Sequence, residues 1–468
     1  MRFQKFFLPE TSDSATFDPE TEKSWIPGVS LWKAESIVLL LALFSLIPIT
    51  NLENHSLLSV GSYFLVLTVL ILMAFLASKR SGVEPAESRH QSPRKLDMAL
   101  AQDLLLILTA TGMWISTLLA PDADLRSTAL WTSGIFLAVY AHRRYNVGFS
   151  FPTLLLGATL IVALNLGIAP FQLTGSDLRV QDMVGGGGAR ISRAVGMFWT
   201  ANILGLWLVL FLPLLGFAAY RFFRDRRFWA ASLYGALTLG SLLLLLRNLS
   251  RLSLMAGALV FVFSSLILLL RRLRPQYRKW VIGAAILMVI AAPVLLWVAS
   301  VKTQADHRYT RVLQAKIRDT EHALSFRLDL QRRAATQIPE HLLLGVGYGD
   351  NANLMPSVGE VTDTLAPEVR QRYLAARKQS YAPHHLGLML ALDAGLIACL
   401  CFFGALALAL GRYARRGLAW ALDTHALAAS VLGWTFLGLG YNVAYTPEGW
   451  PLGLLLFGAF LGSMRRTS

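Results

Sequence analysis

Twelve stretches of this chain are apolar over roughly the length needed to cross a bilayer, near 34–50, 57–77, 103–120, 129–146, 152–170, 197–219, 228–247, 252–270, 280–300, 385–410, 418–439 and 449–464. About 20 apolar residues in a helix match a hydrocarbon core ~30 Å thick. A water-soluble fold cannot cover so many such runs, because only 15% of the 468 residues are charged and 55% are apolar. Soluble chains carry about a quarter charged residues. Backbone polar groups in lipid must pair within the protein, and runs of this length do so as helices. The expectation is an all-α polytopic membrane protein with about 12 transmembrane helices. The first 24 residues lack a continuous apolar core, so no cleavable signal peptide is expected.

The positions of lysine and arginine set the orientation. With the N-terminus in the cytoplasm, 25 of the 43 basic residues fall on the inner side, among them Arg143, Arg144, Arg271, Arg272, Arg465 and Arg466. Six lie in short outer connections: Arg126, Arg179, Arg190, Arg193, Arg247 and Arg251. The remaining twelve lie in the long segment 301–384, which is exempt from the rule. Both termini are therefore expected in the cytoplasm. The net charge of +15 becomes chiefly a topology signal, and no nucleic-acid partner is expected. Residues 1–33 read as a cytoplasmic arm, 34–300 as transmembrane helices 1–9, and 385–468 as helices 10–12. Segment 301–384 reads as a small helical cap between helices 9 and 10. Cys399 and Cys401 share one apolar run without CxxC spacing and read as packing residues.

The outer arginines are the anomaly, since outer loops of inner-membrane proteins are normally poor in arginine. A basic outer face fits an anionic substrate; ion pairing with outer acids is the plainer alternative. Two outer segments exceed a turn. In 171–195, the run Gly185–Gly188 reads as a hinge, and without GxxxxGK[ST] it is no nucleotide loop. In 301–384, residues 308–338 have helical character, Pro339 stops or kinks that helix, and 359–378 form a second charged helix. The GVGYG stretch lacks the strand and helix of a dinucleotide site. There is no internal repeat of the kind that marks many secondary transporters.

The tenth run opens YAPHHLGLMLALDAGL, which puts His384 and His385 where the chain enters the membrane, with Pro383 suited to a first helical turn. A histidine at a helix N-terminus meets the positive end of the dipole, which keeps it in the neutral form that accepts a proton. A hydrogen-bonded interfacial histidine is the alternative. Asp393, nine residues beyond His384, lies about 13 Å along a helix and is too far to orient it.

His384 and Gly395 are separated by ten residues and followed by Leu396. This resembles the H-x10-G element of the O-antigen ligase and O-antigen polymerase superfamily, with His385 where that family has Asn. Arg193, Gly196, Phe198 and Asn202 resemble its Arg-x-x-Gly-x-Phe-x-x-x-Asn element, and Ser250–Arg251 its Ser-Arg element. Arg327, Ala334, His341, Gly345, Gly347 and Gly349 resemble its loop element, with Gln331 where Trp is common. The four elements fall in order over about 190–396.

The resemblance implies an inner-membrane glycosyltransferase that uses no cofactor or metal. Its cap and active site would face the periplasm. The donor would be a glycan on undecaprenyl pyrophosphate, and the acceptor either lipid A–core (a ligase) or a lipid-linked repeat unit (a polymerase). It implies His384 as general base, with His385 as the competing assignment. It implies Arg193 and Arg251 on the pyrophosphate, Arg190 and Arg247 as neighbouring candidates, Arg327 orienting the donor or the His loop, and Tyr381 touching donor or acceptor. A 12-helix secondary transporter is the alternative of a different class.

Overall fold

The structure, a computed structural model, describes residues 36–41, 93–120, 125–145, 149–173, 183–186, 189–192, 194–198, 200–248, 250–283, 320–347, 384–440 and 449–465. Its elements, in chain order, begin with α1 (Pro93–Leu119), α2 (Leu125–Arg144), α3 (Phe151–Leu173), β1 (Met183–Gly186) and β2 (Ala189–Ser192). They continue with α4 (Ala201–Arg224), α5 (Phe228–Asn248), α6 (Arg251–Arg272), α7 (Thr320–Gln337), α8 (Leu386–Arg416), α9 (Leu422–Gly438) and α10 (Gly449–Ser463). The protein is largely helical, with several long apolar helices consistent with a polytopic membrane fold.

Among the described residues six helices are long and apolar enough to cross a membrane: Met98–Leu119, Phe151–Gln172, Ala201–Arg224, Phe228–Asn248, Arg251–Arg272 and Leu386–Ala419. This is fewer than the twelve expected, for identifiable reasons. The run near 57–77 and most of those near 34–50 and 280–300 lie outside the described residues. Arg126, Arg143 and Arg144 lower the hydropathy of α2, and α9 and α10 are only 17 and 15 residues long.

Two expectations for the loops change. Of the run expected as a hinge, Gly185 and Gly186 lie in an antiparallel ribbon with register Met183↔Ser192 to Gly186↔Ala189, and Gly187 and Gly188 lie outside the described residues. In the expected cap, only α7, the following 3-10 turn Ile338–His341 and the chain to Gly347 are described. Pro339 does end the α-helix, which stops at Gln337. The expected helix 359–378 and Tyr381 lie outside the described residues.

Helix α4 is the axis of the bundle. Its residues from Ile203 to Leu215 are all buried, against α5, α6 and α9. Small residues let these helices approach, as expected where lipid supplies no hydrophobic drive between spans. A Cβ on Gly433 of α9 would meet Val260 at 2.7 Å and Val209 at 2.8 Å. A second packing unit pairs α1 with α8 and α2 with α10. Its core is aromatic: Trp131 stacks on Trp450 at 4.2 Å, and Trp434 and Phe402 lie 5.4 and 5.5 Å from Trp450. At the end remote from His384, the carboxylate of Asp103 is buried between α1 and α2. It holds His142 Nδ1 at 2.6 Å and pairs with the guanidinium of Arg143. Asp103 and His142 are buried and Arg143 reaches the carboxylate from an exposed position, so the network joins the two helices.

Candidate functional site

At the other end of the bundle, α5 stops and α4 and α6 start, and two of the sequence-selected arginines, Arg247 and Arg251, lie at these helix ends. Arg190 lies in β2 opposite Gly185. Arg193 follows that strand and lies outside the described residues. Arg247 is in the last turn of α5, and Arg251 is the first residue of α6.

The segment from Ala194 to Thr200 is held by buried amides. Asn165 and Gln172 reach it from α3. Gln172 Oε1 accepts from the N–H groups of Val195 (3.1 Å) and Gly196 (2.8 Å), and its Nε2 donates to Gly196 O at 2.7 Å. Asn165 Oδ1 accepts from Met197 N at 2.8 Å. Gly196 has φ +61, and a Cβ there would run into Asn165 Oδ1, so the turn requires glycine. Thr200 then caps α4 by accepting from Ile203 N at 3.3 Å.

Asn248 joins the two arginine-bearing segments. Its Nδ2 donates to Ala194 O at 3.3 Å and to Ala201 O, while its Oδ1 accepts from Ser250 N at 3.2 Å. Ala194 adjoins Arg193 and Ser250 adjoins Arg251, so one buried side chain fixes the spacing of both backbones. The start of α4 meets the start of α6 where Gly205 leaves room for Ser253, whose hydroxyl donates to Ser250 Oγ at 3.0 Å. Sequence reasoning passed over Asn165, Gln172 and Asn248. The available signal was a polar amide inside or at the end of an apolar run, which is costly unless it is bonded.

Helix α8 is broken. Gly395 has φ 82 and ψ 165, far from helical. Cys399 Sγ lies 3.5 Å from Gly387 O, and a Cβ on Gly387 would meet Phe403 at 3.4 Å. In a straight helix those residues would be separated by about 18 and 24 Å. Residues 386–394 therefore fold back along residues 396–404 as an arm. This corrects the expectation of one continuous span over 385–410. The helix also starts three residues beyond Pro383, so that proline is not in its first turn.

The backbone groups freed at the break are re-paired by the loop after α7. Val346 N donates to Leu392 O at 2.8 Å, Gly347 N to Asp393 O at 3.0 Å, and Leu396 N to Leu342 O at 2.8 Å. Ser116 Oγ of α1 gives Asp393 O a second bond at 2.6 Å. Irregular backbone at such a place is tolerated only where protein satisfies it. The chains cross so closely that a Cβ on Gly395 would strike Leu343 O, and one on Gly345 would lie 2.6 Å from the Asp393 carbonyl carbon. Gly395→Ala should therefore cost at least ~2 kcal/mol from the positive φ alone. It should show as a lowered thermal midpoint and loss of folded protein in detergent.

The arm carries the two histidines. His384 has φ +50, an uncommon backbone for a residue with a side chain. His385 is the N-cap of α8, and its Nδ1 accepts from Leu388 N at 3.3 Å. The dipole argument made for His384 thus applies to His385, and the Asn found at this place in the motif it resembles is likewise a preferred cap. Burial lowers the pKa of His385 below the usual histidine value. Its neutral form is the capping form. The cap's stability is therefore present above the unfolded histidine pKa and is lost as pH falls through the lower folded value. Thermal unfolding should show the protein less stable near pH 5 than at pH 7.5, and His385→Asn should weaken that dependence.

Helix α7 docks on the arm through Leu330, Ala334 and Leu392, with Ile338, Val346 and Leu388 around them. Arg327 lies in the same helix, three and seven residues before Leu330 and Ala334. Leu386 touches the end of α9, where a Cβ on Gly438 would lie 3.1 Å from its Cβ. Helix α9 packs in turn on α4 and α6. The histidine arm and the arginine-bearing turns therefore occupy the same end of the bundle.

Residues 236–403 match the O-antigen ligase family. The matched segment runs from within α5 into α8, past the break at Gly395. It contains Arg247, Arg251, Arg327, Tyr381, His384, His385 and Gly395. Arg190 and Arg193 precede it, as do Asn165 and Gln172, which hold the turn at 195–197, and Ser116, which bonds Asp393 inside it. No curated protein matches the chain.

Proposed function

We propose that the protein is a membrane glycosyltransferase that moves a glycan from undecaprenyl pyrophosphate to an acceptor hydroxyl at the periplasmic face of the inner membrane. The observation that carries this reading is the family match. It covers the folded-back arm with His384, and that arm shares an end of the bundle with the Asn248-joined arginine segments. In this reading about twelve helices span the membrane with both termini in the cytoplasm, and α7 belongs to a periplasmic cap over residues 301–384.

His384 takes the proton of the acceptor hydroxyl as its oxygen attacks the anomeric carbon from the face opposite the pyrophosphate. The glycosidic C–O bond breaks with its electron pair passing to the pyrophosphate oxygen, so the product is inverted. Arg193 and Arg251 meet that growing charge with guanidinium forks, which stay protonated and suit phosphate oxygens. No metal is needed for this step. Arg190, Arg247 and Tyr381 lie near the donor or acceptor, and Arg327 orients the donor or the arm. His385 serves the arm as its cap.

The acceptor is lipid A–core in the ligase form of this reading. Expression in hosts lacking their own ligase or their own polymerase tests it. Restored transfer to lipid A–core, with long lipid-linked chains accumulating when the gene is deleted, is the expected result. Accumulation of single repeat units would make the protein a polymerase. Uptake of a labelled solute into proteoliposomes without consumption of lipid-linked glycan would make it a transporter.

A further inference from the structure

We infer that Ser116, on α1 and outside the segment matched to the family, is a positioning residue for the histidine arm. The inference rests on the reading of His384 as the base. Loop 342–347 bonds both edges of the break, the arm at Leu392 O and Asp393 O and the continuing helix through Leu396 N, so these bonds belong to α8 and its loop alone. Ser116 is different. Its buried hydroxyl reaches from α1 to Asp393 O at 2.6 Å, at the last turn of the arm before the break.

Helix α1 is well fixed at that height. Thr117 Oγ1 lies 2.9 Å from Thr128 Oγ1 of α2, and Trp114 Nε1 donates to Thr132 Oγ1 at 3.1 Å. Just beyond the break, Thr109 Oγ1 donates to Ala398 O at 3.3 Å, and Gly112 leaves room for Ala398. The two hydroxyls thus bracket Gly395, one on the arm and one on the continuing helix. A break with both edges held keeps a set angle. With the Ser116 bond removed, Asp393 O keeps Gly347 N and the arm stays folded. Its angle to the bundle is then less constrained, and His384 rides at its far end.

The test uses the full-length protein in nanodiscs with a lipid-linked glycan donor and its acceptor. Ser116→Ala should lower kcat about tenfold, the scale of a small misplacement of a catalytic group, with the donor KM unchanged. Ser116→Thr, which keeps the donor hydroxyl, should restore kcat, whereas Ser116→Val should not. A lowered thermal midpoint with kcat unchanged in Ser116→Ala would mean a structural role only and would overturn the inference. If Ser116→Ala is normal while His384→Ala is inactive, the inference fails and the functional reading stands. If His384→Ala itself transfers normally, both fail.

Discussion

Replacing His384 with alanine should lower glycan transfer by about a hundred- to ten-thousand-fold, the usual contribution of a general base. The protein should remain folded, because the position precedes the helix and the capping bond to Leu388 N comes from His385. Transfer measured in membranes, beside a melting curve of the purified variant, separates the two outcomes. The neighbouring histidine gives the contrast. His385→Asn supplies another good N-cap and should retain transfer, whereas His385→Ala loses the cap at a cost of about 1 kcal/mol. Near-normal transfer by a folded His384→Ala protein would remove the base from the mechanism.

Arg251→Ala should lower transfer by about a hundredfold or more, the scale seen when a fixed donor to a developing anion is removed. Arg251 occupies the first position of α6, where a cation opposes the helix dipole. An anion held there would offset that cost, which is the part given to the pyrophosphate in the proposed reaction. Arg251→Lys keeps the charge but not the fork and should fall between wild type and alanine. Arg193→Ala should behave similarly. On the proposed reading that both arginines act on one leaving group, the double variant should lose less than the product of the two. Full additivity in a kinetic comparison would argue that they bind separate groups.

Much of the architecture was legible because membrane helices must be both long and apolar. The runs that became α1 to α6 and α8 to α10 were located from hydropathy alone. The ribbon Met183–Ser192 was missed because four glycines were read as freedom, whereas two of them lie in strand β1. The fold-back of α8 was missed for a related reason. Residues 386–416 look like one span by hydropathy, and a periodic pattern does not reveal that Gly395 carries a non-helical backbone. Its place eleven residues after His384 was visible as a motif. The physical need for it, two chains crossing at Leu343 and Gly395, depends on a contact over fifty residues distant in sequence. The chemistry-bearing residues stood out by type at the membrane boundary. Asn248, Gln172 and Ser116 did not, since their work is done on backbone carbonyls and amides that sequence does not show.

The bonds that cross position 236 bear on how this protein can be cut and joined. Ser116 to Asp393, Asn248 to Ala194 and Ser430 to Leu210 each link a group inside 236–403 or beyond it to the chain before it. A chimaera that exchanges residues 236–403 alone would keep its motif intact yet sever the amide clamp and the α1 tie from the partners they evolved with. A seam that leaves those pairs on one parent, with α1, α3 and the 194–202 turn travelling alongside the matched segment, preserves them. The transplantable unit is thus larger than the recognisable one, and its borders follow hydrogen bonds, not sequence similarity.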